Sequence, residues 1–205
     1  IHVDPIEKKP LFHFLPGTTI FSIATAGCNL HCKNCQNHGI SQANPEDAEA
    51  YDLPPDELIA VATREKAVSI AYTYTEPLTY YEYTYESCVR AKEAGLNNVL
   101  VSAGYVNEKP LRRLAPYVDA ANIDLKAFND QFYKDNCSGS LRPVLTALEV
   151  LVDSGVWVEI TNLIIPTLND DMGEIRKMCK WIRDTLGEEV PVHFSRFSPR
   201  HKLRN

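Results

Sequence analysis

The chain has 205 residues, of which 44% are hydrophobic and 23% charged, and it contains 21 Lys plus Arg and 27 Asp plus Glu, for a net charge of −6. This composition excludes a disordered, collagen-like or membrane-spanning protein. The acidic balance argues against non-specific binding to nucleic acid, and no apolar segment resembles a membrane helix or a signal peptide. We therefore expect a cytoplasmic chain that binds neither membrane nor nucleic acid.

Strand-like and helix-like segments alternate along the chain. Segments rich in β-branched and aromatic residues predict strands at 20–26, 68–75, 98–103, 119–127, 156–165 and 190–197. Helices are predicted over 54–66, 78–94, 140–154 and 171–186, and each of the last three is followed by a glycine. Because the strands recur at intervals of about 30 residues, the pattern predicts parallel βαβ units.

The repeated units predict the α/β fold class, as a partial, TIM-like (β/α)6 barrel of parallel strands. The 205 residues are fewer than the roughly 250 of a complete eight-stranded barrel. We place the barrel in residues 19–205, after an N-terminal extension at residues 1–18. The chain begins without Met and ends directly after a strand-like segment, so we expect its ends to be truncated.

Polar and charged residues collect at the C-terminal ends of the predicted strands, where α/β barrels place their chemistry. In the fourth strand, Asn122, Asp124 and Lys126 share one parity, and Ile123 and Leu125 share the other. Because side chains alternate between the faces of a strand, Asp124 and Lys126 should point into the barrel, where charges are costly unless paired or ligand-bound. The polar residues at the other strand ends are Thr75, Glu76, Ser102, Asn162, His193 and Arg196.

Three of the six cysteines, Cys28, Cys32 and Cys35, lie in the segment AGCNLHCKNCQNHG, directly after the first predicted strand. Clustered thiols in a cytosolic chain more often hold metal than form disulfides. A structural zinc site needs four ligands, and His31 or His38 could supply the fourth. Alternatively, three thiolates hold a four-iron cluster and leave one iron open to bind a further molecule.

This three-cysteine spacing resembles the signature of the radical S-adenosylmethionine (SAM) superfamily, and the resemblance extends over nearly the whole chain. Within the superfamily, the chain is similar to the glycyl-radical activating enzymes, the group of the pyruvate formate-lyase activating enzyme. It resembles the AmmeMemoRadiSam proteins more closely still. The matching segments are DPIEKKPLFHFLPG, CQN, TYTEP, NIDLKAF, LIIPTLND and HFSRF.

The resemblance implies a pyruvate formate-lyase activating enzyme-like oxidoreductase with two cofactors. These are a [4Fe-4S] cluster held by Cys28, Cys32 and Cys35, and SAM bound to the open iron. One electron from the cluster would cleave SAM to methionine and a 5′-deoxyadenosyl radical, which abstracts hydrogen from a substrate. Lys126 matches the Asp-x-Lys of the activating enzymes together with Asp124. It is the catalytic candidate and would neutralise the SAM carboxylate.

The resemblance also implies further contacts to SAM. Thr75 and Glu76 stand where many relatives have Gly-Gly-Glu-Pro, and Glu76 would accept a hydrogen bond from the SAM amine; its alternative role is to cap the next helix. Ser102 would reach the ribose or the carboxylate, and it replaces an Asp that helps to hold a monovalent cation in the pyruvate formate-lyase activator. The remaining candidates are Asn162 near the adenine and His193 and Arg196 near the ribose, each with core packing as the alternative.

Two hypotheses for the function follow. The first is a radical SAM enzyme that acts on a glycine of a partner protein or on a small molecule, with electrons from a donor such as ferredoxin or flavodoxin. The second is a non-catalytic zinc or iron-sulfur binding module. In both, the scattered Cys88, Cys137 and Cys179 are expected to serve packing, as are the tyrosines between positions 72 and 85.

Overall fold

The structure, a computed structural model, describes residues 1–204 and contains one curled sheet of seven strands in chain order. The strands are β1 (His2–Pro5), β2 (Thr19–Ile23), β3 (Ser69–Tyr72), β4 (Asn97–Ser102), β5 (Ala120–Asp124), β6 (Trp157–Ile164) and β7 (Val192–Arg196). β2 to β7 run parallel, whereas β1 pairs antiparallel with β2. The predicted α/β partial barrel is confirmed, with all six predicted strands present. The prediction missed β1, whose four residues HVDP carry no run of apolar side chains.

Helices connect the parallel strands and cover the convex face of the sheet. They are α1 (His38–Ser41), α2 (Pro55–Arg64), α3 (Tyr81–Glu93), α4 (Glu108–Leu114), α5 (Asp130–Phe132), α6 (Leu141–Asp153) and α7 (Met172–Trp181). A π-helical turn extends α5 over Tyr133–Cys137 and another extends α7 over Ile182–Leu186. The four predicted helices correspond to α2, α3, α6 and α7. In the described part of the chain, no helix is long and apolar enough to cross a membrane.

The two faces of the sheet pack into separate hydrophobic cores. On the convex face, strand residues such as Ile70 and Ile123 pack with helix residues such as Leu58 and Leu148. On the concave face, the small side chains of the strands leave room for two large residues from the N-terminal segment. This inner core consists of Ile6, Leu11, Ile20, Ala71, Val99 and Ala120. It fills the N-terminal half of the concave face, so the C-terminal ends of the strands remain available for a site.

The N-terminal segment, residues 1–18, also carries a buried ion pair. The Nζ atom of Lys9, whose side chain is 1% exposed, lies 2.9 Å from Asp4 Oδ2 and donates to Tyr74 Oη at 2.9 Å. Burial raises the pKa of Asp4, but hydrogen bonds from Lys8, Lys9 and Tyr74 outweigh it and hold that pKa well below its usual value. The carboxylate therefore stabilises the fold at neutral pH, and this contribution is lost progressively as the pH falls below about 4, the pKa of an unfolded Asp, toward the lowered pKa of the folded state.

The substitution Asp4→Asn should destabilise the fold, because it leaves the buried ammonium of Lys9 without a counter-charge. We expect the free energy of unfolding to fall by about 3 kcal/mol, as measured by urea denaturation of the reduced, metal-free protein. Lys8 provides a matched control, since its ammonium also lies 2.9 Å from Asp4 but its side chain is 66% exposed. Lys8→Ala should cost less than about 1 kcal/mol. Equal losses in the two variants would contradict the argument from burial.

Candidate functional site

The three clustered cysteines lie on the cysteine loop, residues 28–35, which follows β2 at the C-terminal edge of the sheet. Their thiols are free and partly exposed. Two backbone hydrogen bonds hold the loop, from His31 N to Cys137 O (2.9 Å) and from Lys33 N to Asn136 O (2.8 Å). The π-helical turn after α5 is therefore the platform on which the loop rests.

The spacing of the three sulfurs tests which metal group the loop fits. Sulfur ligands around one tetrahedral zinc ion lie about 4 Å apart. In the described part of the chain, the Sγ atoms of Cys28, Cys32 and Cys35 do not all lie within 4.8 Å of one another. His38, a candidate for the fourth zinc ligand, stacks on His201 with the ring centroids 4.6 Å apart. Three thiolates without a fourth protein ligand are the donor set that holds a four-iron cluster with one open iron.

Lys126 and Asp124 form an ion pair at the C-terminal end of β5, as the alternation of that strand predicts. Lys126 Nζ lies 2.9 Å from Asp124 Oδ2, and the two side chains are 21% and 45% exposed. Burial lowers the pKa of Lys126, but the charges of Asp124 and of the thiols at Cys32 and Cys137 raise it well above its usual value. The ammonium is therefore charged at neutral pH and lies close to the cysteine loop.

In this environment the pKa values of two of the loop thiols shift in opposite directions. Contact with the thiol of Cys137, together with the charge of Lys126, outweighs burial and lowers the pKa of Cys32 to about 7. Burial raises the pKa of Cys28 to about 11. Metal ligation requires the thiolate, so Lys126 favours the ligating form of Cys32, whereas Cys28 needs the metal itself to lose its proton.

Glu76 is a buried carboxylate that joins the ends of two strands. Its Oε1 accepts hydrogen bonds from Ser102 Oγ (2.7 Å) and Leu78 N (3.1 Å), and its Oε2 accepts one from Ala103 N (2.8 Å). Burial raises the pKa of Glu76, and this effect outweighs the hydrogen bonds, which lower it. The contact with Leu78 lies in the turn before α3, which begins at Tyr81 without a side-chain cap, so Glu76 does not take the alternative role of capping that helix. Three donors leave acceptor capacity on Oε2 for one more partner.

The turn that leads to Glu76 is strained. Tyr74 has a left-handed φ of 66°, which is unfavourable for a bulky residue unless the surroundings hold it. Asn37, just after the cysteine loop, donates to Tyr74 O (2.7 Å), and Thr75 N donates to Thr73 O (2.8 Å). The turn therefore connects the cysteine loop with the half-buried Thr75 and with Glu76.

The other three residues predicted to contact SAM differ in their burial and hydrogen bonding. Ser102 donates to Glu76 and accepts from Gly104 N (2.9 Å). Asn162 is buried on the helix side of β6, where its Nδ2 donates to Leu125 O (2.6 Å) and its Oδ1 lacks a hydrogen-bond partner among the described residues. Arg196 is exposed at the end of β7. Their contacts with SAM remain predictions.

The remaining sequence candidate, His193, has a partner that the sequence analysis did not identify. Its Nε2 lies 2.6 Å from Oε2 of Glu159, a fully buried carboxylate in β6. A lone charged residue in the strand WVEITNLI, at the same parity as Thr161, was the available signal for Glu159. The role of Cys137 beside Cys32 was also missed, because 105 residues of sequence separate them and no motif links them.

The sequence of the chain matches the family model "Radical SAM superfamily" over residues 22–182. The chain belongs to the radical SAM superfamily. The enzymes of this superfamily use a [4Fe-4S] cluster and SAM, so the two predicted cofactors are confirmed at the level of the family. The three-thiol loop and the adjacent Lys126 fit such a cluster.

Two curated relatives and one solved structure place this radical SAM chain among its neighbours. The uncharacterized protein MJ0808 of Methanocaldococcus jannaschii is 47% identical over 98% of this chain and 60% of its own length. The pyruvate formate-lyase-activating enzyme of Clostridium pasteurianum is 25% identical over 82% of this chain and 72% of its own. SuiB of Streptococcus suis bound to S-adenosylmethionine superposes with a TM-score of 0.69 at 12% identity, covering 90% of this chain and 42% of that one. The chain thus spans only part of the length of MJ0808 and of SuiB.

Removing one cysteine of the loop should abolish cluster binding. We expect the wild-type chain to bind about four iron atoms after anaerobic reconstitution, and Cys32→Ser to lose most of them. The matched control is Cys179→Ser on α7, away from the loop, which should retain the wild-type iron content. Iron and sulfide analysis with the visible spectrum measures both variants. Full iron content in Cys32→Ser would contradict the ligand assignment.

Proposed function

We propose that this chain holds a [4Fe-4S] cluster through Cys28, Cys32 and Cys35 and cleaves SAM reductively to abstract hydrogen from a substrate. The observation that carries the proposal is the position of the charged Lys126 beside a loop of three thiols. When bound, the cluster supplies the electron that splits SAM into methionine and a 5′-deoxyadenosyl radical. The protein's own task is to orient SAM and to exclude other hydrogen donors.

Lys126 and Glu76 are suited to hold the two charged groups at the amino acid end of SAM. The ammonium of Lys126 would pair with the carboxylate of SAM, and Asp124 at 2.9 Å fixes its orientation. Glu76 Oε2 would accept a hydrogen bond from the SAM amine, because Ala103 N occupies only part of its acceptor capacity. Thr75 and Ser102 border this position. Arg196, across the sheet, is the candidate for the ribose.

The substrate proposed first is a glycine residue of a partner protein. The support is that the relatives include enzymes named as pyruvate formate-lyase-activating and (2S)-3-sulfopropanediol dehydratase activating enzymes. The sheet, in which β1 and β7 are the two edges among the described residues, offers an open side to a large substrate. A small one-electron carrier such as ferredoxin or flavodoxin is the proposed electron donor. A small-molecule substrate is the alternative.

The competing proposal, a non-catalytic zinc module, has weaker support. A structural zinc site needs only its four ligands. Here a buried carboxylate at Glu76 and an ion pair at Lys126 are also maintained at the neighbouring strand ends, at a cost in desolvation that a zinc site does not require.

Replacing Lys126 should impair SAM cleavage without removing the cluster. We expect the reconstituted, dithionite-reduced wild-type chain to form 5′-deoxyadenosine from SAM, and Lys126→Ala to do so about 10- to 100-fold more slowly at limiting SAM, as expected for loss of a charged hydrogen bond. The control is Lys134→Ala, an exposed lysine that pairs with Asp130 at 2.8 Å. The amount of 5′-deoxyadenosine is measured by chromatography and compared between variants at equal iron content. Colourless protein with stoichiometric zinc would contradict the proposal.

The class of substrate is tested by isotope transfer. If a protein glycine is the substrate, a candidate glycyl-radical enzyme labelled with α-deuterated glycine should deliver deuterium into 5′-deoxyadenosine, because the radical abstracts that hydrogen. Mass spectrometry of the nucleoside measures the transfer, and the same partner with unlabelled glycine is the control. Transfer from a deuterated small molecule, with none from labelled proteins, would instead establish the small-molecule alternative.

A further inference from the structure

Two imidazoles and one carboxylate converge at a position that the proposed SAM reaction does not use. His193 Nε2 lies 2.6 Å from Glu159 Oε2, and His13 Nδ1 lies 3.3 Å from the same oxygen. In the described part of the chain, this is the only group of three His, Cys, Asp or Glu ligand atoms within 4.8 Å of one another. We propose that His13, Glu159 and His193 bind a divalent transition-metal ion, separate from the cysteine loop.

The carboxylate of Glu159 is built into the protein as a fixed ligand. Its side chain is 0% exposed, and its Oε1 accepts hydrogen bonds from His13 N (2.9 Å), Phe14 N (3.2 Å) and Trp157 Nε1 (3.1 Å). Phe12 N donates to Oε2 at 3.0 Å. These donors fix the orientation of the carboxylate, as the outer shell of a metal site does, and they leave Oε2 facing the two imidazoles.

The buried carboxylate of Glu159 has no lysine or arginine beside it in the described part of the chain. Its only ion-pair partners there are the imidazoles of His13 and His193. A buried anion is stabilised by a nearby cation, and a metal ion between Oε2 and the two imidazole nitrogens provides one.

The site lies on the concave face and is accessible. β-Sheet register aligns Asp124 with Thr161 and Thr161 with His193, so His193 stands at the level of the Asp124–Lys126 pair, two strands away. The side chain of His13 is 56% exposed and that of His193 is 20% exposed. Three protein ligands with a solvent side give an open site, in which an ion retains a position for water or for an oxygen or nitrogen donor.

The donor set selects the class of metal. Two imidazoles and one carboxylate suit Zn²⁺, Fe²⁺, Co²⁺ or Ni²⁺, whereas Mg²⁺ and Ca²⁺ prefer sites made of oxygen. The inference does not depend on the proposed function, because none of its ligands comes from the cysteine loop. It assigns His193 to a metal rather than to the ribose of SAM. The alternative is a hydrogen-bonded pair of His193 and Glu159 that only fixes the N-terminal segment.

Zinc binding to the chain of residues 1–205 tests the inference. The experiment uses the Cys28→Ser, Cys32→Ser, Cys35→Ser background, which removes the competing thiols, and isothermal titration with Zn²⁺. We expect one ion per chain with a Kd of about 1 µM or tighter, and a loss of at least about 100-fold in His193→Ala and in His13→Ala. X-ray absorption should show nitrogen and oxygen ligands and no sulfur. If the triple variant does not fold, the cluster-loaded wild-type chain is titrated in its place.

The His38 and His201 pair supplies the matched control, since its rings also lie close together, at 4.6 Å, on the same chain. The double variant His38→Ala, His201→Ala should bind Zn²⁺ as the background does. The inference is overturned by a Kd weaker than roughly 100 µM, by binding that survives His193→Ala, by loss of binding in the control, or by sulfur ligands in the absorption spectrum.

Discussion

The candidate site depends on one positive charge, the partly buried ammonium of Lys126. It lies 2.9 Å from the carboxylate of Asp124 and close to the cysteine loop, so it stabilises that carboxylate and the thiolates that hold a metal. An iron-sulfur cluster with three thiolates is itself anionic, and a cation that is already fixed stabilises it without any rearrangement. Asp124 keeps that cation charged and oriented in the meantime. The ion pair at the strand end is therefore already formed before the cofactor binds.

The two halves of the concave face have different tasks, and one turn connects them. The inner core around Ile6 and Leu11 excludes water from the N-terminal half, so polar chemistry is confined to the strand ends. Tyr74 joins the halves: its hydroxyl contacts Asp4 and Lys9 below, while its carbonyl accepts from Asn37 beside the cysteine loop. Contacts on both sides offset the unfavourable free energy of its left-handed backbone conformation.

Much of the fold could be read from the sequence because its signals are local. Runs of β-branched residues with glycines after the helices identify β2 to β7, and strand parity predicts the pair of Asp124 with Lys126. The missed features depend on partners far along the chain. β1 is a strand only because β2 pairs with it. Likewise, Glu159 is tolerated at a fully buried position of β6 because the backbone donors of residues 12–14 and the side chains of Trp157 and His193 surround it. The periodicity of a single strand does not indicate partners so distant in sequence.

The attachment of the N-terminal segment to β6 has a consequence for biosynthesis. Phe12 and Glu159 are 147 positions apart, so residues 12–14 acquire this anchor only after β6, the fifth of the six parallel strands, has been made. Closing so long a loop is entropically costly and slow. Ile6 and Leu11 can already pack on β2 to β5 before then, whereas the backbone amides of residues 12–14 lack their carboxylate partner until β6 is in place.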